Sequence, residues 1–308
     1  MTPDLKVTIA GVEFANPIMT ASGCCGYGEE LAQIFPLSRL GALVTKSITR
    51  HPRLGHPPPR TAETASGMLN AIGLANVGID AFLADKIPFL TKQKTRIIVN
   101  VAGSKLTEYV EICARLNECE RVDMIELNIS CPNVDEGGME FGSDPMMTEK
   151  SVAAVRKVFS RPVIAKLSPN VTSIAQIALA AEQGGADAVS IINSLVGTSV
   201  DIETWRPKLT NNKGGLTGPA IKPVALAMVE AVHASRCRLP IIGVGGIADY
   251  RDVVEFMLCG ATAVQVGTSL FVDPSGPVKM VKGLSAYLKK KKLGAASDLI
   301  GKVRKYGT

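Results

Sequence analysis

Histidine and aromatic residues are scarce in this sequence: aromatics make up 5% of the 308 residues, with one Trp, and there are three His. His51, His56 and His233 are far apart, the first two lie in a Pro-rich loop, and no Cys-x-x-Cys occurs. No ligand set for a metal ion or an iron–sulfur cluster is spelled out by such spacing. No apolar stretch reaches about 18 residues without a charge or a breaker, so no membrane-spanning helix is expected. No Gly-x-Gly-x-x-Gly follows the first strand-like run, and no Gly-x-x-x-x-Gly-Lys-Ser/Thr is present. Neither a dinucleotide nor a nucleoside triphosphate therefore finds its usual phosphate loop. The seven Cys are an odd number, and no secretory apolar segment precedes them. A reduced, cytoplasmic protein is the expectation.

What is present is a large apolar complement. Hydrophobic residues are 46% of the chain and charged residues 20%, which suits a sizeable core and argues against disorder. The net charge of +6 is concentrated towards the end, in Lys289 to Lys292 and then Lys302, Arg304 and Lys305. A solvated last helix and tail accounts for this run, and no aromatic-interleaved basic groove points to nucleic acid. No linker or low-complexity segment divides the chain, so residues 1–308 are read as one domain.

Eight short apolar runs recur along it: Ile18–Ala21, Leu43–Lys46, Ile97–Asn100, Met124–Leu127, Val163–Lys166, Ala188–Ile191, Ile241–Val244 and Ala263–Val266. Between them lie helical patterns, clearest at Thr107–Asn117, Glu149–Phe159, Ser173–Gln183, Pro219–Ala234, Tyr250–Cys259 and Val278–Lys289. Strand–helix alternation repeated eight times predicts an α/β fold, a (β/α)8 TIM barrel of parallel strands. Ahead of it, Val7–Phe14 alternates around Ala10-Gly11, which predicts a small N-terminal β-hairpin covering one end of the domain.

The apolar runs end in polar residues or glycine: Ser22-Gly23, Lys46-Ser47, Asn100, Asn128, Lys166, Asn193-Ser194, Gly245-Gly246 and Gly267-Thr268. In such a barrel these ends share one face, where active sites sit. The last two runs lead into glycine-rich turns, the usual place for a phosphate held by backbone N–H groups. FMN or a phosphorylated substrate would suit that site.

Chemistry is most legible at Asn128-Ile129-Ser130-Cys131-Pro132-Asn133. Asn128 ends a strand at the barrel mouth, Cys131 follows on a short turn, and Pro132 stops the strand. A thiol with a reference pKa of about 8.5 can serve as a base where a neighbouring charge favours thiolate. The segment Val134–Pro145, rich in glycine and acids, reads as a mobile loop beside it. Ser66–Asn76 reads as a second loop, in which Asn70 offers both donor and acceptor and the N–H groups around Gly73 could bind a carboxylate.

Taken with Thr45-Lys46-Ser47, Asn70-Ala71-Ile72-Gly73-Leu74 and Gly214-Gly215-Leu216-Thr217-Gly218-Pro219, this segment makes the chain resemble the dihydroorotate dehydrogenases along nearly its whole length. Pro57-Pro58-Pro59-Arg60, Glu63-Thr64 and Gly67-Met68-Leu69-Asn70 make it similar to class 1B, the catalytic subunit of the NAD-linked enzyme. Class 2 members carry Ser at the base position and an N-terminal membrane segment, unlike this sequence. Cys24-Cys25 departs from the family pattern, which assigns it no role.

The resemblance implies that Cys131 takes the proton from C5 of dihydroorotate while hydride from C6 passes to FMN. It implies that Lys46, Asn70, Asn128, Asn193 and Ser194 hold the substrate, together with Ala71, Ile72, Gly73 and Leu74. It implies that Ser22, Lys46, Ser47, Asn100, Asn128, Lys166 and Ile192 line the flavin, Lys166 at its N1–C2=O edge. Gly218, Gly245, Gly246, Gly267 and Thr268 would surround the phosphate. It further implies a homodimer bound to an electron-transfer subunit carrying FAD and a [2Fe–2S] cluster, which passes electrons to NAD. A class 1A enzyme using fumarate, a flavin barrel reducing uracil-like rings, and a non-catalytic phosphate-binding barrel within an assembly are the alternative readings.

Overall fold

The computed structural model describes residues 2–130, 132–133, 139–304 and 306. The chain opens with β1 (Val7–Ile9), β2 (Val12–Phe14), β3 (Ile18–Thr20), α1 (Glu29–Ala32) and β4 (Ala42–Val44). There follow β5 (Thr61–Thr64), β6 (Gly67–Asn70), α2 (Gly78–Ala81), α3 (Ile87–Thr91), β7 (Arg96–Val101), α4 (Leu106–Asn117) and β8 (Met124–Asn128). The middle holds β9 (Pro132–Asn133), β10 (Met139–Glu140), α5 (Pro145–Arg156), β11 (Val163–Leu167), α6 (Ile174–Gln183) and β12 (Ala188–Ile191). Four short strands come next, β13 (Leu195–Gly197), β14 (Val200–Asp201), β15 (Arg206–Pro207) and β16 (Gly214–Thr217). The chain closes with α7 (Lys222–His233), β17 (Ile241–Val244), α8 (Tyr250–Leu258), β18 (Ala261–Val266) and α9 (Gly276–Lys291).

Eight parallel strands close a barrel in the order β3-β4-β7-β8-β11-β12-β17-β18, each of the eight apolar runs supplying one strand. Strands buried on both faces need apolar residues outwards against the helices and a filled interior inwards. In β8, Ile125 and Leu127 alternate with Met124, Glu126 and Asn128; Ile125 and Leu127 are fully buried. The side chain of Glu126 bonds to residues of β7, β12 and β18, so its set faces the barrel interior.

The helices bury one stripe each. In α4, Tyr109, Ile112, Cys113 and Leu116 recur at the spacing of a single helical face and are buried. The fifth helix begins four residues earlier than its periodicity predicts. Asp144 caps it by accepting from the Met147 N–H (3.0 Å), and Pro145 takes the first turn, where its missing N–H costs nothing. Its C-terminus withdraws correspondingly, and Lys157 and Val158 form a turn. Pro219–Ile221, predicted as the start of α7, is instead a separate 3-10 turn. The last helix carries Lys289, Lys290 and Lys291 exposed in its final turn.

The N-terminal hairpin forms as predicted, turning at Ala10 (φ 49°) and Gly11 (φ 78°). Val7, Ile9 and Phe14 are buried, and Arg96 at the start of β7 donates to the Glu13 carbonyl (3.1 Å). The hairpin therefore closes the N-terminal end of the barrel.

The segment Ser66–Asn76, expected as a loop, contains β6. This strand pairs with β5 and β16, and β13 completes an antiparallel sheet in the order β13-β16-β6-β5. Its partners lie up to about 150 residues away along the chain, so local pattern could not reveal it; Gly215 faces Asn70 and Leu216 faces Leu69. Of the segment Val134–Pro145, expected as a mobile loop, residues 134–138 lie outside those described, while β9 and β10 pair antiparallel.

Candidate active site

The C-terminal ends of the barrel strands open into a cavity of about 420 Å³. Parallel strands in register bring their last residues to one level: Asn128 stands beside Lys166, and Lys166 beside Ser190. The sheet of β5, β6, β13 and β16 contributes Thr61, Met68, Asn70 and Thr217 to the cavity wall.

The cavity collects Ser22, Lys46, Ser47, Asn70, Ile72, Leu74, Asn100, Asn128, Lys166, Ile192, Asn193, Ser194, Gly218, Gly245, Gly246, Gly267 and Thr268. These come from strands spread over the whole chain. Two residues of the expected set do not line it. The Ala71 N–H is donated to the Arg60 carbonyl (2.8 Å), and Gly73 packs its backbone against His56. Cys131 lies outside the described residues; Asn128, three positions before it, is on the cavity wall.

Amides line one side. Asn193 Nδ2 donates to Asn128 Oδ1 (3.1 Å), and Asn193 Oδ1 accepts from the Ser194 N–H (2.9 Å). Asn70 Nδ2 donates to the Gly215 carbonyl (3.2 Å), and the Tyr109 hydroxyl donates to the Asn128 carbonyl (2.7 Å). Side chains tied in this way are held ready for a flat, doubly hydrogen-bonding ring.

Three cations, Lys46, Arg60 and Lys166, also face the cavity. Burial pushes the Lys46 ammonium below its usual range; Cys24 partly offsets this and Arg60 adds to it. Arg60 is a site residue the sequence did not single out, although the Pro57–Arg60 motif contains it. Gln265 was missed as well, and so was Glu126 beneath the cavity. Their sole local signal was a polar residue inside an otherwise apolar run.

Cys24 lines the cavity, whereas Cys25 turns towards the Val44 carbonyl (Sγ to O 3.9 Å). Burial pushes both thiols up, Cys25 to about 12, with Lys166 and Lys46 partly opposing the effect at Cys24. Neither offers a thiolate base near neutral pH. Among the described residues no three His, Cys, Asp or Glu side chains gather as metal ligands, and no helix is long and apolar enough to cross a membrane.

A flavin mononucleotide needs buried hydrogen-bond partners at one end of its site and a close backbone approach for phosphate at the other. Asn100 Oδ1, Gln265 Oε1 and Ser269 Oγ are buried without a partner among the described residues, and all three residues line the cavity. Gly245, Gly246 and Gly267 present bare backbone to the same cavity. The residues present fit such a group.

Residues 4–288 match the family described as dihydroorotate dehydrogenase. The catalytic subunit of dihydroorotate dehydrogenase B (NAD(+)) from Citrifermentans bemidjiense is 51% identical over 299 residues, 97% of this chain and 98% of that protein. Its counterparts from Pelobacter propionicus (50% over 301 residues) and Geotalea daltonii (49% over 302 residues) cover 98% of this chain and 99% of their own length. With its barrel, its cavity and its sequence in accord over almost the full chain, the protein belongs to the dihydroorotate dehydrogenase family.

Proposed function

We propose that this chain oxidises (S)-dihydroorotate to orotate in pyrimidine biosynthesis, as the FMN-binding catalytic subunit of an NAD-linked enzyme. The observation that carries the reading is the cavity itself: one continuous space joins Lys46 and the Asn70, Asn128 and Asn193 amides to Lys166 and the glycine turns.

Each end of the cavity then has a task. Lys46 binds the substrate carboxylate as a charge-assisted pair, with Ile72 and Leu74 on the same cavity wall. Asn70, Asn128 and Asn193 match the donors and acceptors of the pyrimidine ring, and Ser194 completes that wall. Ser22, Ser47, Asn100, Lys166 and Ile192 hold the flavin ring, and Gly218, Gly245, Gly246, Gly267 and Thr268 its phosphate. When bound, FMN supplies the two-electron acceptor for the hydride leaving C6. Cys131 takes the C5 proton, so that the pair of electrons freed at C5 forms the C5=C6 bond of orotate. Among the described cysteines Cys24 alone lines the cavity, and burial raises its thiol, which disfavours it as a rival base.

We extend the reading to the assembly. The relatives are named catalytic subunits of NAD(+)-linked enzymes, which supports a partner that carries electrons onwards. By family resemblance that partner holds FAD and a [2Fe–2S] cluster and binds a dimer of this chain, each copy a single domain spanning residues 1–308. The described cysteines are free thiols, in keeping with a cytoplasmic location.

The decisive experiment denatures the purified chain and measures released flavin, with about one FMN per chain expected. Dihydroorotate should then bleach the flavin absorbance of the isolated chain, with NAD reduced only once the partner is added. A colourless protein that cannot be reconstituted with FMN would refute the redox reading. Fumarate-dependent turnover by the chain alone would move it to class 1A.

The Lys46 shift gives a pH signature. The ammonium form binds the carboxylate, so orotate affinity should be constant below the Lys46 pKa and fall as pH rises through it. Because burial lowers that pKa, the fall should begin at lower pH than for an ordinary lysine. Lys46→Met should remove this alkaline limb and weaken orotate binding by about 10- to 100-fold. A spectral titration of orotate in which K46M keeps the wild-type profile would exclude Lys46 as the carboxylate partner.

A further inference from the structure

Below the cavity lies a carboxylate sealed from solvent. Glu126 is 0% exposed, in β8, and faces into the barrel. Its Oε1 accepts from Asn100 Nδ2 (2.7 Å) and lies 3.7 Å from Lys166 Nζ. Its Oε2 accepts from Ser190 Oγ (2.9 Å) and from Gln265 Nε2 (2.5 Å). These partners stand on β7, β11, β12 and β18, so one side chain links strands from around the barrel.

An ionised carboxylate only accepts hydrogen bonds. Asn100 and Gln265 must therefore both turn their NH2 groups towards Glu126 and their carbonyl oxygens away from it. Those oxygens are the buried Asn100 Oδ1 and Gln265 Oε1 that have no partner among the described residues, and both residues line the cavity. Leaving two buried acceptors unpaired is costly unless a ligand brings N–H or O–H donors to them.

We propose that Glu126 is a positioning residue for the cofactor: it fixes the polarity of the Asn100 and Gln265 amides and retains the Lys166 ammonium, so that the cavity floor presents two acceptors and one cation. That pattern suits a ring bearing both an imide N–H and carbonyl oxygens. The inference rests on the FMN reading above. A glutamine at position 126 defeats the arrangement, because its own NH2 cannot accept. One of the two amides then loses its anchor and is free to flip, and Lys166 loses its counter-charge.

The test compares wild type with Glu126→Gln by fluorescence titration of apoprotein with FMN, by the midpoint potential of the bound flavin, and by thermal melting. E126Q should bind FMN at least about tenfold more weakly. Its potential should shift to a more positive value, because an uncompensated Lys166 favours the electron-rich reduced ring. Lys166→Met should shift the potential the opposite way. Ser190→Ala, which removes a neutral hydroxyl from the same Oε2, should leave both affinity and potential unchanged. If E126Q does not fold, Glu126→Asp carries the test: it keeps the charge on a shorter stem, and should lose FMN affinity with a smaller change in potential. A folded variant that binds FMN like wild type at the same potential, with only its melting temperature lowered, would reduce Glu126 to a packing role and overturn the proposal. Wild-type protein that binds no FMN would sink the cofactor reading instead.

Discussion

Replacing Cys131 with serine is expected to slow the reduction of bound flavin by dihydroorotate by about 10²- to 10⁴-fold at neutral pH, the usual contribution of a positioned general base. Orotate binding should change little, because the carboxylate and ring contacts come from Lys46 and the asparagines. The direction follows from acidity. A thiol ionises at about pH 8.5 in the absence of other influences and lower beside a cation, whereas a serine hydroxyl stays protonated. Stopped-flow traces at several pH values check this, with orotate titrated in parallel. Wild-type rates in C131S would dismiss the thiol as the base and return attention to other groups on the cavity wall.

The second large effect is expected at the glycine turns of the cavity. Gly246 has φ +75°, and a Cβ added there would lie 2.7 Å from Lys222 Cβ, 2.8 Å from Lys222 N and 2.9 Å from Lys222 Cα. Two of those atoms belong to the backbone at the start of α7. Lys222 has little freedom to retreat, since its ammonium is tied to Asp252 (2.6 Å) and Glu255 (3.0 Å). Asp252 in turn accepts from the Ala248 and Asp249 N–H groups (2.7 and 2.9 Å), which pins the rest of the turn. Gly246→Ala must therefore displace the turn itself, at about 1–3 kcal/mol for overpacking with further strain from the left-handed backbone. The variant should fold and yet lose FMN on dialysis, its affinity reduced by about 10- to 100-fold. Gly294→Ala, whose added Cβ would meet no atom closer than 3.8 Å, serves as the control and should keep its flavin. Stoichiometric FMN in dialysed G246A would show that this turn does not hold the phosphate.

Much of the site was legible because a parallel barrel makes a simple promise. If each apolar run ends at the same face, then whatever ends the runs must meet. Lys46, Asn128, Lys166 and Gly267 are scattered over more than two hundred positions, yet all of them line one cavity. The illegible part consists of residues whose meaning depends on a partner. Glu126 and Gln265 read locally as polar interruptions of apolar strands, and only the 2.5 Å contact between them, across the barrel interior, gives them a purpose. The family resemblance put Ala71 and Gly73 among the residues around the substrate, whereas the chain beyond β6 turns the Ala71 N–H to the Arg60 carbonyl and sets Gly73 against His56.

By itself the sequence determined the barrel, its N-terminal hairpin and the polar composition of the mouth, because strand and helix periodicities and strand-end chemistry are local properties. Tertiary structure alone decided that β5 and β6 meet β13 and β16 to wall the cavity, that Cys24 faces it while Cys25 does not, and that one buried carboxylate orients two amides. Pairings between distant segments depend on which surfaces close against one another, and no local window of residues contains that information.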